Sequence, residues 1–205
     1  MKNMEQRYPS IIEGMINMNF IYGLPYCSKC VVAKNYMKAN HIPFEDRNIE
    51  AEGKPDFLKY YAKNRKAIYR SPSGRIELPV FTDGEQIRQG AGPVVAYLHS
   101  GTKLDGFFDI GLLKGDWVDQ IHVSGGNPEF AAEFLEVLRF LKSCNMQLQI
   151  DTNGKNSAIL RQILEEGLAD VMILNPLPEG AEVDASELEV SHQLIQQFPN
   201  HQINS

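Results

Sequence analysis

Two cysteines three residues apart, Cys27 and Cys30, follow a short apolar run and open a helical pattern. The stretch Phe20-Ile21-Tyr22-Gly23-Leu24-Pro25-Tyr26-Cys27-Ser28-Lys29-Cys30 reads as a strand, a tight turn and a helix start. Met18, Phe20 and Tyr22 alternate with Asn19 and Ile21, which suits a mostly buried strand, and Gly23 with Pro25 ends it. Beyond Cys27, Val32, Ala33, Tyr36, Met37 and Ala39 recur at helical spacing until Asn40, ahead of Pro43.

A cysteine at that helix start faces unpaired backbone N–H groups and the positive end of the macrodipole. Both stabilise a thiolate, which predicts a pKa below the free-cysteine value of about 8.5. Lys29 adds a positive charge to the neighbourhood. Cys30 lies one turn on and on the same face, so the two sulfurs can close a disulfide. The expectation is an exposed attacking Cys27 and a resolving Cys30 that releases the mixed disulfide. A Cys-x-x-Cys pair is also half of a zinc site, which would need two further cysteines or histidines at matching spacing. The only other cysteine is Cys144, far downstream.

At 205 residues and a net charge of −6, the chain is long enough for one large or two small domains and a poor candidate for general nucleic-acid binding. No window approaches the roughly 20 apolar residues of a membrane span. The first fifteen residues lack an apolar signal core, so no export is expected, and three cysteines suit a reducing cytoplasmic setting. Residues 1–17 contain Ile11, Ile12, Met15 and Ile16, a candidate short leading helix.

Downstream, residues 44–49 form a second strand candidate. Pro55 is placed to start a helix whose apolar side is Phe57, Leu58 and Tyr61. An irregular stretch, 64–78, turns at Ser71-Pro72-Ser73-Gly74. It and the preceding helix carry Lys59, Lys63, Arg65, Lys66, Arg70 and Arg75, a basic run inside an acidic protein. That run is either a solvated loop or a lining that attracts a carboxylate-bearing thiol or an acidic protein. Leu78-Pro79-Val80-Phe81-Thr82 then precedes Asp83-Gly84, a strong hairpin signal. Gly90-Ala91-Gly92-Pro93 starts a helix that stops at Gly101.

This order, with Cys27 and Cys30, Leu78-Pro79-Val80 and Gly90-Ala91, resembles the glutaredoxin branch of the thioredoxin-like superfamily over residues 17–103. The resemblance implies a cis Pro79 beside Cys27, and a backbone at Leu78 that takes an extended thiol substrate. It makes Tyr26, Lys29, Leu78, Pro79, Gly90 and Ala91 the expected substrate-binding set. The lysine that the family often carries before its first cysteine and the aspartate after its glycines are replaced by Tyr22-Gly23-Leu24-Pro25 and Gly92-Pro93. Glutathione therefore stands as an open choice of reductant, and no cofactor is required.

A Gly- and Asp-rich stretch at 103–116 marks the expected junction between a domain at 1–103 and another at 104–205. Beyond it, strand and helix patterns alternate through Val118, Ile121 and Val123, Phe134 to Leu141, Leu148 and Ile150, Ile159 to Leu164, and 171–174. Such alternation predicts parallel strands with right-handed crossovers. Asp184 with Glu187 resembles a capping box before a last helix. Ser124-Gly125-Gly126-Asn127-Pro128 and Asp151-Thr152-Asn153-Gly154 resemble segments of the activating-enzyme branch of radical S-adenosylmethionine enzymes. The cluster-binding cysteine triplet of that family is missing, so neither a [4Fe–4S] cluster nor S-adenosylmethionine is expected. The half reads as scaffold, with Gly125, Gly126, Asp151 and Asn153 as a candidate remnant ligand pocket.

The expected fold class is therefore α/β, a thioredoxin-like domain followed by a partial parallel βαβαβ sheet. Three parallel strands cannot close a barrel, so their edges must be covered by the first domain, the tail helix or a second subunit. The expected function is thiol–disulfide exchange on protein or low-molecular-weight disulfides. The alternative is a binding module, either a glutaredoxin-like holder of a shared [2Fe–2S] cluster or an adaptor for a radical enzyme. A homodimer and docking through the second half both stay open as partners.

Overall fold

A computed structural model describes residues 18–111, 115–175, 184–198 and 202–203. The expected leading helix at 1–17 lies outside the described residues. Two sheets are present. The first has the order β2-β1-β3-β4 and is mixed, and the second has the order β5-β6-β7-β8 and is parallel.

In the first sheet, β1 (Asn19–Gly23) runs parallel to β2 (Phe44–Asn48) and antiparallel to β3 (Val80–Thr82), which pairs in turn with β4 (Ile87–Gln89). The period-2 alternation of β1 sends its side chains to two different layers. Ile21 joins the core beneath α1 (Ser28–Ala39) and α3 (Ala91–Ser100), while Tyr22 joins Phe57, Ile68 and Val80 beneath α2 (Lys54–Asn64). Pro55 stands in the first turn of α2 as expected, but only Phe57 of its apolar side is buried and Leu58 is exposed. Gly84, at a φ of 97°, turns the β3–β4 hairpin, and Gly101, at a φ of 62°, ends α3.

The second sheet combines β5 (Trp117–His122), β6 (Gln147–Thr152) and β7 (Val171–Leu174), with α4 (Ala131–Ser143) and α5 (Ser157–Glu165) as the crossovers. A two-residue strand, β8 (Gln202–Ile203), adds in parallel to the free edge of β7, and Phe108 bridges to Ile121 at the other edge. The chain itself thus supplies cover at both edges. Asp184 caps α6 (Ala185–Gln196) by accepting from the Ser186 amide, but the capping box is incomplete. Glu187 reaches away to accept from the amide of Ser157, tying α6 to α5.

One apolar core runs through both halves. It contains Met37, Phe81 and Val94 from the first and Ile121, Phe134 and Leu138 from the second. The stretch read as a junction is packed into it: Leu104 and Phe107 are fully buried, and Phe107 stacks on Phe134 with centroids 4.1 Å apart. Each such fully buried side chain contributes on the order of 1.5–3 kcal/mol. Three helices from the two halves meet at His99, whose Nδ1 shares a 2.9 Å hydrogen bond with the Tyr36 hydroxyl and whose Nε2 lies 3.0 Å from Glu136.

Candidate active site

The turn after β1 places the cysteines. Cys27 N donates to Leu24 O, and Cys27 then sits at the N-cap of α1 in extended conformation, with its own carbonyl accepting from Val31. Its Sγ accepts the Cys30 amide at 3.1 Å, the capping bond that a Ser or Asp side chain makes elsewhere. Cys27 and Cys30 are joined as a disulfide with their Cα atoms 5.2 Å apart. Cys30 is wholly buried, whereas Cys27 is partly exposed. Room for Cys30 comes from Gly23, where a Cβ would stand 2.9 Å from the Cys30 Sγ.

The Leu78–Pro79 peptide is cis, as the resemblance implied. The register of Tyr22 with Val80 sets Pro79 opposite Gly23, the residue that lies against the Cys30 sulfur. Pro79 O accepts the amide of Gly90, a residue at a φ of 84°, and Ala91 is buried next to it. The structure thus brings Cys27, Cys30, Leu78, Pro79, Gly90 and Ala91 together at one end of the first sheet. Tyr26 also belongs here. It is 71% exposed beside Cys27, with its hydroxyl donating to Glu50, a bond that raises the phenol above its ordinary pKa.

Lys29 takes a different place from the one expected. Its side chain is buried, and Nζ lies 2.6 Å from Glu77 Oε1, so its charge is shared with a carboxylate just before Leu78. Burial pushes the Glu77 carboxyl above its ordinary range against the pull of Lys29, with Asp119 adding to the rise and Arg75 opposing it. Asp119 is itself buried, where β5 shifts register between Val118 and Ile121. Sequence reasoning missed Glu77. Its only signal was a carboxylate two residues before Pro79.

On the other side of α1 a groove of about 490 Å³ separates Tyr26, Ser28 and Val31 from Asp116, Cys144 and Met146 of the second half. Ser28 Oγ donates across it to Gly115 O at 3.1 Å. Cys144 ends α4 as a partly buried free thiol.

Of the candidate remnant pocket's residues, the two glycines are closely packed against the stretch at 106–107. Gly125 meets the Gly106 carbonyl, and the position a Cβ would take at Gly126 is filled by the Phe107 ring. The Asn153 amide donates to Ser124 Oγ at 2.8 Å. Asp151 lies 4.0 Å from His122 Nδ1 and accepts from Asn175. Burial raises its carboxyl pKa, opposed by His122 and Asn175. These polar groups gather at the C-terminal ends of β5, β6 and β7, where open parallel sheets place their ligands. Among the described residues, no group of three or more His, Cys, Asp and Glu side chains is arranged to hold a metal ion, and no helix is long and apolar enough to cross a membrane. Comparison of the chain with protein-family models, with curated proteins and with solved structures found no match.

Proposed function

We propose that the protein is a glutaredoxin-like thiol–disulfide oxidoreductase working through Cys27 and Cys30 in a reducing, cytoplasmic setting. The observation that carries this reading is the Cys27 sulfur at the N-cap of α1, partly exposed, accepting the Cys30 amide with a buried partner thiol one turn away. In the reduced protein, the same amide and the helix dipole favour Cys27 as thiolate.

The thiolate attacks one sulfur of a substrate disulfide and expels the other as a thiolate, which takes up a proton. Cys30, as thiolate, then attacks the Cys27 sulfur of the mixed disulfide. This releases the second substrate thiol and leaves the Cys27–Cys30 disulfide. Two electrons pass to the substrate, and a thiol reductant of low molecular weight or a dithiol protein must return them. Leu78 offers its backbone to an extended chain entering beside Cys27, and Pro79 orients that chain.

The test is turnover of a small neutral disulfide, bis(2-hydroxyethyl) disulfide, with glutathione or with thioredoxin and its reductase as electron source. Cys27→Ser loses turnover, and Cys30→Ser accumulates a mixed disulfide on Cys27 visible by mass spectrometry. Full activity in Cys27→Ser would end the reading.

A further inference from the structure

Between residues 59 and 75 the chain carries Lys59, Lys63, Arg65, Lys66, Arg70 and Arg75 and no carboxylate, although its overall net charge is −6. All six are exposed. Several cations elsewhere pair, as Lys34 does with Asp46, Arg88 with Asp105 and Arg139 with Glu166. Among the described residues, none of the six forms an ion pair.

The cations after α2 sit on an ordered arm. Arg70 and Ile76 form an antiparallel bridge, and the Ser71 amide donates to Arg75 O at 2.8 Å. The Arg70 Nε donates to Gly74 O, and its guanidinium lies 5.5 Å from the Tyr61 ring centroid. The arm leads directly into the site. Arg75 acts on Glu77, and Glu77 holds Lys29 between the two cysteines, one residue before Leu78-Pro79.

We propose that this face docks an acidic polypeptide segment, and so selects for Cys27 those protein disulfides that are flanked by Asp and Glu. The inference rests on the redox reading for its purpose but not for its binding step. The charge is spread too widely for a small dianion. Lys59 and Lys63 lie about 6 Å apart along α2, and Arg70 and Arg75 lie beyond the helix end. A run of carboxylates matches that spread, and an electrostatic face of this kind raises the encounter rate with it.

Binding is measured by fluorescence anisotropy on the full chain with a labelled Glu-rich peptide that has serine in place of cysteine, and with its Lys-rich counterpart. The acidic peptide binds about tenfold or more tighter at low ionic strength, and the preference fades at about 1 M salt, where the Debye length is about 3 Å. Lys63→Glu/Lys66→Glu cuts the preference severalfold, and so does Lys66→Glu/Arg70→Glu; both leave Arg75 unchanged. Turnover of bis(2-hydroxyethyl) disulfide is unchanged in both variants. Equal binding of the two peptides by the parent protein, or a preference undiminished in both variants, overturns the proposal. Equally tight binding of a single-stranded oligonucleotide also overturns it, as does a charge dependence seen only with glutathione disulfide. If the neutral disulfide is not reduced while the acidic peptide still binds selectively, the docking surface stands and the redox reading fails.

Discussion

Lys29, set between the two cysteines, turns inward and places Nζ 2.6 Å from Oε1 of Glu77, 48 residues along the chain. The pair locks the start of α1 to the segment that enters Pro79. Both side chains are largely withdrawn from water, so removing one partner leaves the other poorly compensated. Glu77→Gln lowers stability by about 3 kcal/mol at neutral pH, read from urea denaturation.

The same carboxyl has a pH signature. Its native pKa is raised, chiefly by burial, so the folded chain keeps this proton to higher pH than the unfolded chain does. Stability from this group therefore falls as pH rises from the ordinary carboxylate value to the raised one, and is level above it. In Glu77→Gln that slope disappears. Identical slopes in the two proteins would show that Glu77 is not buried as described.

Asp83 provides the opposite sign. Burial works against its ionisation, but the Tyr97 hydroxyl and the amides of Gln86 and Glu85 outweigh it and hold the carboxyl below its ordinary value. Its contribution is complete above the ordinary carboxylate range and is lost as pH falls through the lowered native value. Tyr97→Phe costs about 1 kcal/mol at neutral pH, and the gap from the parent protein closes in acid. A gap that does not depend on pH would count against the pairing.

Gly126 tests whether the second half has kept an open pocket. The Phe107 ring fills the space beside it and is fully buried against Phe134. Gly126→Ala forces that ring to move and destabilises the protein by about 1–3 kcal/mol, measured by thermal unfolding. An alanine accepted without cost would mean that the ring does not occupy that space.

Much of this arrangement was legible from local signals. The strand, turn and helix around Cys27, the Asp83-Gly84 hairpin, the Gly101 stop and the strand at Val171–Leu174 each carry their own periodicity or turn chemistry, and each formed as read. What escaped depends on distant partners. Lys29 looks like a surface charge until Glu77 arrives opposite it. Glu187 has capping-box spacing, yet finds the Ser157 amide instead. Gly- and Asp-rich residues around Phe107 and Phe108 suggest a linker, but those aromatic rings enter a core that only the packed helices of both halves create. Leu58 fits a helical apolar stripe, yet α2 buries little beyond Phe57.

The central claim concerns one sulfur at one helix end. Alkylation of the reduced protein with iodoacetamide, followed by mass spectrometry of the peptide containing Cys27, gives its ionisation curve directly. The account predicts a midpoint at least one unit below the free-cysteine value of about 8.5, with Cys30 protected until the fold is lost. A Cys27 midpoint at or above the free-cysteine value would contradict it.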